Sequence, residues 1–249
     1  MRTRFPLTLE DSTTSPGLVV LRDDLIEGGT KRTYLWKVIA SNPTVENFVY
    51  ASPPEGGLQL ALAALCKETG KNCVIVTQQH KTVGLHTRMV LEMGGSVLYV
   101  PPPNAFQKRL EKVAREYAVK TPHTHKLAFG GAYEFGVDTI AARMRKVSDT
   151  LGREPDEVFC AVGSGTLLRG ILRGTDDAKV IGVLVGMTHK REEFADYRVT
   201  LIRHRLKYQQ PSKFAMDFPC NVTYERKAFE TMLQHRTQGA LTLFWNVHR

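Results

Sequence analysis

Two short segments combine residue types that can do chemistry. The first is Gly163, Ser164, Gly165 and Thr166, set between the apolar run Asp156 to Val162 and a helix-like pattern from Leu167 to Gly174. A glycine-rich turn between a strand and a helix start exposes several backbone N–H groups, and the helix dipole adds partial positive charge. Together they can seat a phosphate without a basic side chain. Ser164 and Thr166 add hydroxyl donors. The turn is neither a Walker loop nor a GxGxxG fingerprint, so a tight βα turn with no ligand stays open as its plainer reading. The second segment is RDDLIEGGTKRTYL, Arg22 to Leu35, where Gly28 and Gly29 precede Lys31 at an apparent helix start. A desolvated lysine loses basicity and becomes nucleophilic. A surface lysine after a flexible turn is the plainer reading here.

Alternating strands and helices must position both segments. Val45 to Ala51, Asn72 to Thr77 and Ser96 to Val100 read as strands. Leu58 to Thr69, Thr87 to Gly94 and Phe106 to Val119 read as the helices between and after them. Such alternation predicts a parallel sheet with helices on its faces. The later half repeats the logic: a helix over Gly136 to Gly152, strands over Asp156 to Val162 and Lys179 to Gly186, a helix over Arg226 to Arg236 and a strand over Ala240 to Val247. The expected architecture is α/β, with two three-layer αβα domains and mostly parallel sheets. Residues 40–122 form the smaller domain; 1–39 plus 123–249 form a discontinuous larger one.

Composition narrows the class. The 249 residues are 42% hydrophobic and 24% charged, ordinary for a soluble globular protein. No apolar run is long enough to span a membrane, and the first residues lack a secretory pattern, so a cytoplasmic protein is expected. Cys66, Cys73, Cys160 and Cys220 are too scattered for a zinc site or a disulfide framework, and the eight histidines show no HExxH spacing, so no metal is expected. The net charge of +9 and pI near 9.4 suit an anionic partner, nucleic acid included, or simply a basic enzyme. Basic residues gather from His189 to Lys213, with too few aromatics for a base-stacking platform.

Four segments, in order, resemble one known family: the pyridoxal 5'-phosphate (PLP) enzymes of fold type II, tryptophan synthase β-like, and in particular the branch of 1-aminocyclopropane-1-carboxylate deaminase and D-cysteine desulfhydrase. RDDLIEGGTKRTYL is similar to the motif that carries that branch's Schiff-base lysine. FGGAYEFGVDTIAARM, Phe129 to Met144, looks like its GG…G segment before a long helix, and AVGSGTLLRGIL, Ala161 to Leu172, resembles its phosphate loop. NVTYERKAFETM, Asn221 to Met232, resembles a segment near its C-terminus. The resemblance implies a shortened fold type II architecture, PLP as cofactor and a homodimer. It makes Lys31 the Schiff-base lysine and general base, and Gly163, Ser164, Gly165 and Thr166 the phosphate cradle. Glu225 becomes the acid beside the pyridine nitrogen and Tyr224 a catalytic tyrosine.

This sequence also departs from the family. YASPPEGGLQLALA, Tyr50 to Ala63, replaces a Ser-Asn-type loop, so Glu55 stands where an asparagine contacts the cofactor. Pro53 and Pro54 have no N–H to donate. Tyr34 takes the place of a lysine three positions after Lys31. Three readings follow. One is a PLP enzyme of deaminase or lyase type, forming an external aldimine and a Cα carbanion on a small amino-acid-like substrate. The second is a PLP lyase or decarboxylase acting on an amino-acid-like group attached to a nucleotide or DNA base, as in viral DNA hypermodification. The third is a non-catalytic relative that binds a phosphorylated ligand.

Overall fold

The structure is a computed structural model that describes residues 5–13, 15–102, 106–186 and 188–248. The chain divides into two compact units: Glu27–Ala132, and Met1–Ile26 with Tyr133–Arg249. It opens in the larger unit with β1 (Leu9–Asp11) and β2 (Leu18–Arg22). The smaller unit follows as α1 (Arg32–Ala40), β3 (Asn47–Ala51), α2 (Leu58–Thr69), β4 (Asn72–Gln78), α3 (Leu85–Glu92), β5 (Ser96–Val100), α4 (Gln107–Lys120) and β6 (Thr124–Lys126). The chain then completes the larger unit with α5 (Glu134–Leu151), β7 (Glu157–Val162), α6 (Thr166–Arg173), β8 (Lys179–Leu184), β9 (Val199–Arg203), α7 (Glu225–His235) and β10 (Thr242–Asn246).

The smaller unit has a fully parallel sheet of order β5-β4-β3-β6. Alternate residues Val49, Ala51, Val74 and Val76 pack on Leu110 and Ala114 of α4. That is the period-two pattern of a sheet with both faces covered. Helix α2 is buried along nine consecutive residues, Leu58 to Cys66, which places it inside the unit rather than on its surface. Burying each of its four leucines stabilises the fold by about 1.5–3 kcal/mol. The helix stops at Gly70 in the left-handed conformation.

The larger unit has the sheet order β1-β2-β10-β7-β8-β9, parallel except for β1 against β2. On one face Leu18, Val20, Phe159, Ile181, Val183 and Phe244 pack against Ala228, Phe229 and Met232 of α7. Buried charge here is met by polar partners, as burial requires: Asp23 is fully buried, held by the Arg143 guanidinium and by Trp245 Nε1 at 3.1 Å.

Compared with the sequence-based boundaries of 1–39 plus 123–249 and 40–122, the units divide after residues 26 and 132. The reason is pairing: α1 packs on α2, and β6 joins β3, so both belong with the smaller unit. Lys31 is the cap residue of α1, whose first helical residue is Arg32.

Candidate active site

In the larger unit the buried strand β7 ends at Val162, and the chain turns through Gly163, Ser164 and Gly165 into α6. Gly165 caps the helix with φ of +81°, a left-handed conformation that glycine adopts at little cost. Ser164 Oγ and Thr166 Oγ1 lie 3.2 Å apart. A methyl group placed on Gly163 would sit 3.1 Å from Tyr224 Cε1, so the ring of Tyr224 lies directly against the turn. A side chain at 163 would have to push that ring back by a few tenths of an ångström.

Tyr224 caps α7 and Glu225 is its first residue. Asn221 Oδ1 accepts hydrogen bonds from the backbone N–H of Thr223 and of Tyr224, at 2.8 and 2.9 Å, and this shapes the entry to the helix. The Tyr224 and Tyr208 hydroxyls are 3.3 Å apart. Glu225 is 2% exposed, and its Oε2 makes no hydrogen bond. His248 Nδ1 lies 3.3 Å from that oxygen, and the His248 ring meets Tyr224 edge-on. The neighbouring thiols respond: burial first, and the Glu225 charge next, push Cys160 well up. Burial likewise raises Cys220 to about 11. A buried carboxylate oxygen with no hydrogen bond is costly unless a donor completes it.

In the smaller unit Gly28 and Gly29 have φ of +85° and +71°. A methyl group on Gly28 would lie 2.7 Å from Ala61 Cα, so the segment before Lys31 rests on the backbone of α2. The same helix is entered from the loop 52–57, so α2 anchors both Lys31 and Glu55. That loop is closed on itself: Gly56 N–H and Ser52 Oγ–H both donate to Pro53 O, and Gln59 Nε2 donates to Pro54 O. Glu55 Oε1 lies by Gly84 on the loop before α3. Tyr34, where a lysine was expected, is buried with its hydroxyl by Gly131. A cavity of about 210 Å³ opens beside the same loop, lined by Pro54, Gln78, Gln79, His80, Thr82 and Tyr99 among others.

Sequence reasoning therefore picked out, within the larger unit, three features that the fold brings together: the 163–166 turn, Tyr224 and Glu225. It assigned Lys31 to the larger domain with residues 1–39; the structure sets Lys31, with Glu55, in the smaller unit, where Gly28 ahead of the lysine rests on α2 and the loop carrying Glu55 leads into the same helix. It missed His189, Arg169, Tyr208 and His248, since isolated residues at no motif spacing carry no signal until the chain folds. The basic stretch from His189 to Lys213 also looks different in three dimensions. Arg198 donates to the Leu172 and Thr175 carbonyls and to Asp196, Arg191 to Tyr197 O and Arg205 to Glu230. Those three charges hold the segment in place.

The architecture is the tryptophan synthase β-like fold, fold type II of the PLP-dependent enzymes. Several solved structures share it. A 1-aminocyclopropane-1-carboxylate (ACC) deaminase homologue superposes with a TM-score of 0.74 at 16% identity, over 93% of this chain and 84% of that one. O-ureido-L-serine synthase gives 0.70 at 13% identity, over 99% and 89%. A hydrogen sulfide-producing enzyme from Fusobacterium nucleatum gives 0.71 at 11% identity, over 98% and 95%. No family model and no curated protein sequence matches the chain. Among the described residues no helix is long and apolar enough to cross a membrane.

Proposed function

We propose that this protein is a PLP-dependent enzyme in which Lys31 carries the cofactor, the 163–166 turn takes its phosphate and Glu225 faces its ring nitrogen. The observation that carries this reading is the approach of Tyr224 to Gly163: residues 61 positions apart, matched to one family's motifs on separate grounds, touch in the fold. The residues suit the group. The turn offers backbone N–H groups at a helix start, and the buried Glu225 oxygen lacks the hydrogen that a protonated pyridine nitrogen supplies. When bound, PLP would provide an electron sink for a carbanion next to an amine. Glu225 would keep the ring protonated. Lys31 would hold the cofactor and move a proton, and Tyr224, with Tyr208 as hydrogen-bond neighbour, would hold a second proton near the reacting atoms. Deaminase or lyase chemistry on a small amino-acid-like substrate is the reaction this set suits best.

A second reading keeps the cofactor and changes the substrate. The loop 52–57 uses its hydroxyl and one N–H internally, presents two prolines, and adds the Glu55 carboxylate. That chemistry disfavours a free carboxylate there. The neighbouring cavity offers amides, hydroxyls and an imidazole, which suits the polar, uncharged part of a larger substrate such as a nucleotide carrying an amino-acid-like group.

The test is direct. PLP added to the purified protein should produce a visible absorption band, and Lys31→Ala, with unchanged circular dichroism, should not show it. Free amino acids that alter the band support the first substrate class; modified nucleotides that alter it where amino acids fail support the second. A wild-type protein that gives no band refutes both.

A further inference from the structure

The turn at 163–165 has a weakness that follows from its composition. A peptide plane next to glycine flips easily, because glycine tolerates both signs of φ. A flip here would point a carbonyl oxygen where an anion needs an N–H. Two side chains from outside the turn hold its carbonyls. His189 Nε2 is 2.8 Å from Gly163 O. Arg169 Nη1 donates to Ser164 O at 3.3 Å. The carbonyl and the following N–H of a peptide unit point in opposite directions. Pinning these two carbonyls therefore fixes the N–H groups of Ser164 and Gly165, each directed away from its own braced carbonyl.

Both braces are themselves held. His189 Nδ1 lies 2.9 Å from Glu193 Oε2, and Glu193 Oε1 accepts from the backbone N–H of Lys190 at 2.9 Å. The contact with His189, first among its causes, holds the Glu193 carboxyl below its ordinary range. Arg169 lies over the Phe194 ring at 5.0 Å, and that ring tilts against His189 at 5.8 Å. A methyl group on Gly165 would meet Arg169 Nη1 at 2.9 Å and the Phe194 ring at 3.3 Å. The turn is thus boxed by Tyr224 on one side and by Arg169 with Phe194 on another, while His189 holds its first carbonyl.

We propose that Arg169 and His189 are positioning residues that lock the turn in its anion-binding conformation, with residues 189–194 serving as the clamp that holds them. This rests on the reading of the turn as the seat of the cofactor phosphate. Removing a hydrogen bond of this kind corresponds to about tenfold in affinity.

The experiment compares binding of PLP with binding of pyridoxal, which lacks the phosphate, by the full chain. Wild type should prefer PLP. Arg169→Met and His189→Phe should each lose about tenfold of that preference while pyridoxal binding is unchanged, and Arg169→Lys should recover most of it. A preference equal to wild type in both variants overturns the proposal. So does parallel loss of both ligands, which would mark a general collapse of the unit. If wild type itself shows no preference for PLP, the phosphate seat falls and this inference falls with it; a wild-type preference that survives in the variants sinks this inference alone.

Discussion

Gly28→Ala is the substitution whose cost can be worked out most fully from the structure. Gly28 has φ of +85°, and an added methyl carbon would lie 2.7 Å from Ala61 Cα, 3.1 Å from Ala61 N and 3.2 Å from Leu60 O. All three atoms are main chain of the buried helix α2, so no side chain can swing aside. The left-handed conformation costs a non-glycine residue about 1–2 kcal/mol. Overpacking against rigid neighbours adds about 1–3 kcal/mol. The sum, about 2–5 kcal/mol, is a large share of a typical stability of about 5–15 kcal/mol. Gly70 provides the control in the same unit: its φ is +67°, but an added methyl would meet nothing within 4 Å. Gly70→Ala should therefore cost only the conformational part, about 1–2 kcal/mol. Urea unfolding followed by circular dichroism measures both. Because the segment at Gly28 leads into Lys31, Gly28→Ala should also weaken formation of the PLP band, while Gly70→Ala should not. Equal stability losses in the two variants, with equal PLP binding, would refute the claim that this close approach positions the lysine.

Two further outcomes are expected. Glu225→Gln should retain PLP but slow any substrate-dependent change of its spectrum by roughly two orders of magnitude, since a neutral amide no longer favours the protonated ring; stopped-flow absorbance reads this, and an unchanged rate would count against the assignment. Burial holds His204 and His125 below the ordinary imidazole value of 6.5, opposed at His204 by Glu230 and reinforced at His125 by Lys126. Between the depressed folded value and 6.5 the unfolded chain binds more protons, so stability is full above that window and is lost as pH falls through it. The urea midpoint should drop as pH falls from neutrality through 6.5 and below, less steeply in His204→Gln; a midpoint that rises on acidification contradicts the sign.

Much of the fold was legible because its signals are local. Helix α2 and strand β5 lie where their composition places them, at Leu58–Thr69 and Ser96–Val100, and the β7-turn-α6 unit reads directly from an apolar run meeting glycines. Strand β2 was not recognised, although it lies inside the larger sheet beside β10. Its five residues lead at once into Asp23 and Asp24, whose burial depends on partners such as Arg143 and Arg22. Strand β6 is Thr-His-Lys, a polar triplet that becomes a strand only because β3 is there to pair with it. Strand β9 lies in the basic stretch that gave no clear pattern, and it pairs with β8. The candidate site divides the same way. Glycines, Lys31, Tyr224 and Glu225 stand in recognisable strings. The partners of the turn, His189 and Arg169, are defined by a carbonyl 26 and 5 residues away, and no spacing rule finds those.

The most direct measurement is chemical. The PLP-loaded protein would be reduced with borohydride, which makes the cofactor's link to an amine permanent, then digested and mapped by mass. The pyridoxyl group should be found on the peptide containing Lys31. Finding it on another lysine, such as Lys190 or Lys207, or finding no modified peptide, would contradict the account.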